Sequence, residues 1–342
     1  MSRENYGVVE VLDIIFVLII ATSTIAIIFL WAGPQMENKK ASVRGDSALT
    51  QFNTMDDIIK DVANRGVNGS CIVDFVTDTG QVFIGENIDE RFILYYSLVD
   101  GFDFDVSGLE DSDETLNVIN IIGGSSLSYI DIFYLGDDTP ELDRDFNGGT
   151  YTATHPLVDA IKINLKDSPG EDPRNVVGRI WLFDLGSIAY DMSSYRIITE
   201  NGGTIWTDLQ SGYLSNKPII YNKDNSLVMK IIQLKPGGEI SGGNLNKYSF
   251  LIKSTDVSIC ETKAYIPGPG YFKMQIYGDD KGAVDAWTSY FSEAHNFEKF
   301  SDDEGTPNFD ESKILGLQIK DDDELFFSLV CSTCDVTLVT TK

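Results

Sequence analysis

The chain has 342 residues, with 26 Lys and Arg against 53 Asp and Glu, a formal charge of −27 and a pI near 4.2. This length suits one large domain or two ordinary ones, and the apolar share of 42% excludes a chain that is disordered throughout. The acidic excess argues against nucleic-acid binding, because the phosphate backbone would be repelled. Residues 1–66 carry only 6 basic and 8 acidic side chains, so nearly all of the negative charge belongs to residues 67–342.

The first predicted element is a hydrophobic helix. Residues 14–32 read IIFVLIIATSTIAIIFLWA, a run of 19 residues without a charge. At about 1.5 Å per residue this run matches the roughly 30 Å of a bilayer's hydrocarbon core. A buried helix of a soluble protein normally keeps a polar stripe, and Trp31 at the far end suits a membrane interface. We therefore expect a membrane span.

A short motif, GVVEVL at residues 7–12, comes directly before this run. It resembles the class III signal of type IV pilins, and is most similar to the form found in archaeal pilins and archaellin-like proteins. The resemblance implies that a prepilin peptidase cuts between Gly7 and Val8 and removes residues 1–7 as a leader. It implies that Glu10 helps to place the subunit during assembly. The implied partners are an assembly platform, copies of the chain itself and other pilin-like subunits.

The sequence after the apolar run predicts a break in the helix and then a second, amphipathic helix. The break is expected at residues 33–34 (Gly-Pro), because proline lacks the amide hydrogen and clashes with the preceding turn. The helix is expected to end near Arg65-Gly66. Residues 8–66 thus form the expected N-terminal helical region, although a single-pass anchor with a stalk would need the same residues. The apolar and charged faces of the second helix are set by Phe52, Met55, Ile59 and Val62 against Asp56, Asp57, Lys60 and Asp61.

The flanking charges bear on orientation. One cation, Arg3, precedes the span and three follow it, which by the positive-inside rule would place the body in the cytoplasm. Large domains translocate largely regardless of such charges, and the pilin-like motif implies a dedicated outward route. We expect a protein that is anchored in the cytoplasmic membrane before assembly, with its body at the cell surface.

The sequence of residues 67–342, which we call the body, predicts many short strands. Its short apolar or alternating runs are separated by Gly- and Pro-rich turns, which points to a β-sandwich or two packed lobes, with a boundary near residues 167–175. One helix is expected near residues 283–297. The predicted fold class is α+β, with a long transmembrane and amphipathic helix followed by a large, mostly antiparallel, sandwich-like ectodomain. The predicted strands are 71–76, 81–84, 91–99, 129–135, 160–165, 179–185, 195–199, 204–206, 227–234, 248–252, 271–277, 315–319 and 325–330.

One loop has part of a calcium motif. Asp143, Asp145 and Asn147 place oxygen ligands at positions 1, 3 and 5, and Gly148 follows at position 6 of an EF-hand-like loop. The acid expected at position 12 is replaced by Thr154. The residues therefore define a candidate calcium site, with a polar surface turn as the alternative.

The other candidate residues are cysteines and one asparagine. Cys71, Cys260, Cys331 and Cys334 allow three disulfide pairings, and disulfides are permitted if the body lies outside the cytoplasm. Asn68 begins the single Asn-x-Ser/Thr sequence and is a candidate glycosylation site.

The sequence favours a structural function. No His-Glu-x-x-His, Gly-x-Ser-x-Gly or P-loop motif occurs, and the two histidines, His155 and His295, suit surface or packing roles. We therefore name no catalytic residue. We expect a structural subunit of a pilus-like surface filament that assembles through the N-terminal helix, and a major, a minor and an adhesive role all remain open. The alternatives are a monomeric membrane-anchored protein that captures a glycan or protein partner, and an anchored surface enzyme.

Overall fold

The computed structural model describes most of the chain. The described residues are 5–77, 80–85, 91–98, 103–111, 114–122, 127–134, 142–145, 150–156, 160–170, 172–192, 194–208, 211–236, 247–278, 280–303 and 311–339. The chain divides into two compact units, Met1–Ala48 and Leu49–Lys342.

The described elements are two α-helices, one short 3₁₀-helix and twenty-one strands. The helices are α1 (Asn5–Asn64), α2 (Lys281–His295) and the 3₁₀-helix Pro173–Asn175. The strands are β1 (Ser70–Val76), β2 (Gln81–Gly85), β3 (Arg91–Ser97), β4 (Asp103–Asp111), β5 (Glu114–Ile122), β6 (Tyr129–Tyr134), β7 (Leu142–Asp145), β8 (Thr150–Pro156), β9 (Ala160–Lys166), β10 (Val176–Asp184), β11 (Ser187–Met192), β12 (Tyr195–Glu200), β13 (Gly203–Thr207), β14 (Gly212–Asn216), β15 (Ile220–Lys223), β16 (Ser226–Pro236), β17 (Lys247–Pro267), β18 (Gly270–Gly278), β19 (Glu298–Asp303), β20 (Glu311–Ile319) and β21 (Glu324–Leu338).

The strands form four sheets. The largest has eight strands in the order β19-β20-β18-β3-β10-β9-β6-β7, and a three-stranded sheet has the order β4-β5-β8. Two five-stranded sheets have the orders β1-β17-β21-β16-β15 and β14-β13-β12-β11-β2. The described pairings are antiparallel except β16 with β21, which run parallel from Ser226 opposite Phe326 to Pro236 opposite Val336.

In the eight-stranded sheet, the central strands β3 and β10 are buried on both faces, which explains why they read as continuous apolar runs. In β3, Phe92 and Leu94 point into the main core while Ile93 belongs to a second core on the other face. The main core also takes side chains from both five-stranded sheets and from α2, including Phe327, Ile205 and Trp287. Aromatic contacts with edge geometry connect it, such as Phe92 to Trp287 at 5.0 Å.

The predicted fold class is wrong in its helical part. Among the residues that the structure describes, 58% lie in strands and 26% in helices, so the protein is mostly β rather than α+β. The reason is that stretches without a clear apolar alternation, such as β4, β5 and β14, also pair into sheets. Within the described part of the chain, no helix combines the length and the apolar character needed to cross a membrane. The prediction that the body is rich in strands is confirmed.

The elements of the body largely agree with the sequence pattern. Each of the thirteen predicted strands overlaps an observed strand, and the predicted helix at 283–297 corresponds to α2. Asp280 caps that helix, because its Oδ1 accepts a hydrogen bond from the Ala283 amide at 3.1 Å. Asn296 ends it in the left-handed conformation.

Two expected boundaries look different in the structure. The backbone of α1 is helical through residues 33–34, where a break was expected. Residues 167–175 connect β9 to β10, which are antiparallel neighbours in one sheet, so the chain does not pass there from one sheet to another. The unit that contains the body also begins earlier than residue 67, at Leu49.

Candidate functional site

The candidate assembly site is the part of α1 at residues 16–31, which we call the apolar segment. Its described large apolar side chains are more than half exposed, from 52% for Ile19 to 77% for Leu30. Consecutive helical residues are about 100° apart, so the five residues from Phe16 to Ile20 point in all directions around the axis. The first turn and a half of the segment is therefore apolar on every side. Its exposed members are Phe16, Val17, Leu18, Ile19, Ile20, Ile25, Ile27, Ile28, Leu30 and Trp31.

The helix itself satisfies both threonine hydroxyls of the apolar segment. The Thr22 hydroxyl donates to the Leu18 carbonyl at 2.8 Å, and the Thr24 hydroxyl donates to the Ile20 carbonyl at 2.7 Å. These bonds remove the need for water at both hydroxyls. Small side chains at residues 21–24 and 26 also allow a neighbouring helix to approach closely. The segment is thus compatible with a dry, helix-packed environment.

The last turns of α1 are fixed to the body by an apolar face. Phe52, Met55, Ile59 and Val62 are fully buried, as their spacing predicts. Phe52 contacts Phe75 of β1 edge to face at 5.2 Å, and Phe75 in turn contacts Tyr190 of β11 at 5.1 Å. Burial of this face makes residues 49–64 an integral part of the body.

Polar contacts fix the same turns from a second side. The Lys60 ammonium donates to the Lys217 carbonyl at 2.7 Å, and the Asn216 amide of β14 donates to Asp57 Oδ1 at 2.8 Å. Lys230 Nζ donates to the Ala63 carbonyl at 3.0 Å, where a cation complements the helix C-terminus. The end of α1 is therefore held both by packing and by directed bonds.

Asp56 was expected on the polar, solvent-facing side of the helix, but the structure buries it. It is fully buried and pairs with Lys60, with Nζ 2.7 Å from Oδ2. Burial raises the pKa of Asp56 to about 6, although the neighbouring Lys60 ammonium opposes the shift. The spacing of four residues supplies the partner that makes a buried carboxylate tolerable.

The residues that the pilin resemblance singles out lie near the beginning of α1. Gly7, Val8 and Glu10 are all within its helical backbone. Their roles in processing and assembly stay predictions.

The candidate calcium residues lie partly on a strand. Asp143 and Asp145 belong to β7, where they oppose Asp131 and Tyr129 of β6, while Asn147 lies outside the described residues. Asp131 is buried and pairs with Lys166 of β9. Among the side chains that the structure describes, no group of three or more His, Cys, Asp or Glu is arranged for a metal ion. The calcium site stays a prediction.

The structure selects one cysteine pairing. Cys260 of β17 and Cys331 of β21 form a disulfide with their Cα atoms 6.1 Å apart. Cys71 and Cys334 are free, and burial raises the pKa of the Cys334 thiol to about 12.

The candidate glycosylation residue, Asn68, is exposed in the turn between α1 and β1, with a left-handed φ of 71°. A surface turn of this kind is accessible to modification.

The sequence did not point to a buried polar cluster beside α2. Glu200 is 1% exposed and accepts a hydrogen bond from the Trp287 indole. Burial raises the pKa of Glu200 to about 7, and the nearby Asp280 carboxylate raises it further while the indole bond lowers it. One signal was available: Glu200 is two residues after the core residue Ile198, so both lie on the same face of β12.

His295 packs against an aromatic side chain of its own helix. His295 ends α2, where its Nε2 lies 2.8 Å from the Tyr290 hydroxyl. Burial lowers the pKa of His295, which favours the neutral ring at physiological pH.

Comparison of this chain with known protein families, curated proteins and solved structures finds no match to any of them.

Proposed function

We propose that this chain is a structural subunit of a pilus-like filament at the cell surface, and that it assembles by packing its apolar segment against the same segment of neighbouring copies. The observation that carries the proposal is the exposure of ten large apolar side chains around a helix that has no polar stripe at residues 16–20. A helix that is apolar all round belongs in a buried environment. Covering each such side chain is worth about 1.5–3 kcal/mol.

Other features support the same proposal. The motif at residues 7–12 resembles the processing signal of type IV pilins, which are delivered outward and polymerise through such helices. The disulfide between Cys260 and Cys331 suits an oxidising location outside the cytoplasm. The acidic body would coat the filament, and its negative charge would keep neighbouring filaments apart.

The proposal is tested by placing a charge in the apolar segment. Ile19→Asp should abolish incorporation into surface filaments, because an unpaired carboxylate among packed apolar helices is costly to desolvate. Filaments are counted by negative-stain electron microscopy with an antibody against the body. The matched control is Val43→Asp, which changes an exposed apolar residue of α1 outside the segment.

A control measurement and a clear contradicting outcome complete this test. Body folding is checked for both variants by circular dichroism, so that loss of filaments is not confused with loss of structure. Wild-type filament numbers for Ile19→Asp, with the body folded, would refute assembly through the segment.

A further inference from the structure

A second surface feature lies in the body, in a cleft of about 470 Å³. The cleft is bounded by the end of β3, the start of β10 and the second half of β17. Three cationic side chains line it, Arg174, Arg179 and Lys263, against one acidic side chain, Glu261. In a chain with twice as many acidic as basic residues, this reversal of sign is unexpected.

The two arginines are held in place by carboxylates. Arg179 lies 2.8 Å from Glu261, and their side chains are only 19% and 11% exposed. The Arg179 Nε is buried and has no hydrogen-bond partner among the described residues. Both Nε and Nη2 of Arg174 donate to the Asp172 carboxylate, with Nη2 2.6 Å from Oδ2, and the Arg174 side chain is 89% exposed. The arginines are therefore positioned by their carboxylate partners.

Lys263 contributes an unbalanced charge. Within the described part of the chain, its ammonium forms no ion pair with a carboxylate. Among the described residues of the cleft, counting Asp172 with the lining, three cations face two anions, which leaves one net positive charge. An anion entering the cleft would supply the missing partner.

The backbone at Lys263 has an unusual conformation. Its φ is +48°, in the left-handed region that non-glycine residues occupy at a cost of about 1–2 kcal/mol. It lies in a bulge of β17, because Glu261 opposes Leu329 but Ala264 opposes Phe327. The Lys263 amide donates to Ser328 Oγ at 3.1 Å, which helps to hold the bulge. Bulges of this kind redirect a side chain next to functional sites.

The rest of the cleft is apolar. Tyr265 is 55% exposed and Leu98 is 45% exposed. The Tyr265 ring rests on Phe326 with their centroids 5.8 Å apart, so it offers a supported flat face. The lining of the cleft therefore combines cationic side chains with apolar ones.

We propose that this cleft binds a small ligand that carries an oxyanion, such as the carboxylate or sulfate of an acidic sugar. The oxyanion pairs with the exposed ammonium of Lys263, next to the Arg179 guanidinium that Glu261 holds in place. The carbon skeleton packs on Tyr265. This inference does not depend on filament assembly, because every residue in it belongs to the body unit.

The test measures binding to the full chain in a neutral detergent by isothermal titration calorimetry or by NMR chemical shifts. The probes are glucuronate, its uncharged counterpart glucose, inorganic sulfate and inorganic phosphate. Glucuronate should bind and glucose should not, because the two differ in the carboxylate. If the inorganic ions displace glucuronate, the anion alone dominates binding; if they do not, the sugar skeleton contributes. Both results are consistent with the proposed site and identify the source of the ligand.

Two variants locate the binding. Lys263→Asn removes the charge but keeps a residue that tolerates the left-handed backbone, and should weaken glucuronate binding about tenfold. Lys253→Asn makes the same change at an exposed position of β17 outside the cleft and should leave binding unchanged. Equal binding of glucose and glucuronate, or equal losses in both variants, would overturn the proposal.

Discussion

At the residue scale, Glu200 couples the stability of the body to pH. Its carboxyl is buried against α2 and receives the Trp287 indole bond. Burial raises the pKa of Glu200 from 4.5 to about 7, so the folded protein holds this proton more tightly than the unfolded chain does. The contribution to stability is complete below pH 4.5 and is lost as the pH rises to about 7.

We therefore expect Glu200→Gln to remove part of the pH dependence of unfolding. Gln keeps an oxygen that accepts the indole bond but does not ionise. Relative to the wild type, the variant should gain stability between pH 4.5 and 7, up to about 3 kcal/mol. Urea unfolding of both proteins across this range measures the difference. Glu293→Gln, which makes the same change at an exposed residue of α2, is the control and should leave the pH dependence unchanged. Parallel curves for wild type and Glu200→Gln would contradict the assignment.

At the element scale, the buried face of α1 at residues 49–64 makes the helix part of the body. Phe52 is fully buried among Phe75 and Tyr190. Phe52→Ala should lower the free energy of unfolding by about 3 kcal/mol, because it removes a large apolar side chain and leaves a cavity. Thr54→Ala, one exposed residue of the same turn, should change it by less than about 0.5 kcal/mol. Urea denaturation compares the two, and similar losses would mean that this face does not support the body.

The elements show what the sequence can reveal. The spacing of Phe52, Met55, Ile59 and Val62 predicts their burial correctly, because a helix must turn such a stripe toward the core. Strands such as β3 and β10 are evident from continuous apolar runs. β17 was predicted only at residues 248–252, although it continues to Pro267, because its later residues alternate irregularly around three register shifts.

The candidate sites were harder to predict, because they depend on contacts between distant residues. The burial of Glu200 depends on Trp287, 87 residues away, and the disulfide joins cysteines 71 residues apart. The cationic cleft needs a bulge in β17 that only pairing with β21 reveals. The local sequence pattern does not indicate which distant residues come into contact. The four cysteines alone therefore allowed three disulfide pairings.

At the scale of the whole molecule, the formal charge of −27 opposes compactness. Self-repulsion among exposed carboxylates is screened by salt over about 8 Å at physiological ionic strength. Added sodium chloride should therefore raise the melting temperature of the protein. This effect needs no specific site and sets the baseline for any test of calcium.

Calcium should raise the melting temperature beyond matched sodium chloride if Asp143, Asp145 and Asn147 bind it. Binding to the folded state at a hundredfold excess over Kd adds about 2.7 kcal/mol. Magnesium at equal ionic strength should add less, because it requires a tighter octahedral shell. Melting curves of the full chain and of Asp145→Ala in all three salts measure this. Equal shifts in the three salts would leave only screening, and a calcium-specific shift that survives in the variant would place the site elsewhere.

The position of β21 in its sheet has a consequence for biosynthesis. β21 lies between β16 and β17, which both precede it in the chain. Neither of these earlier strands can complete its hydrogen bonds until the ribosome has delivered the strand that separates them. Closing such long loops is slow, so the nascent body stays incomplete through most of its synthesis. For the exported subunit proposed above, this order means that the five-stranded sheet can close only after β21 has followed β16 and β17 across the membrane.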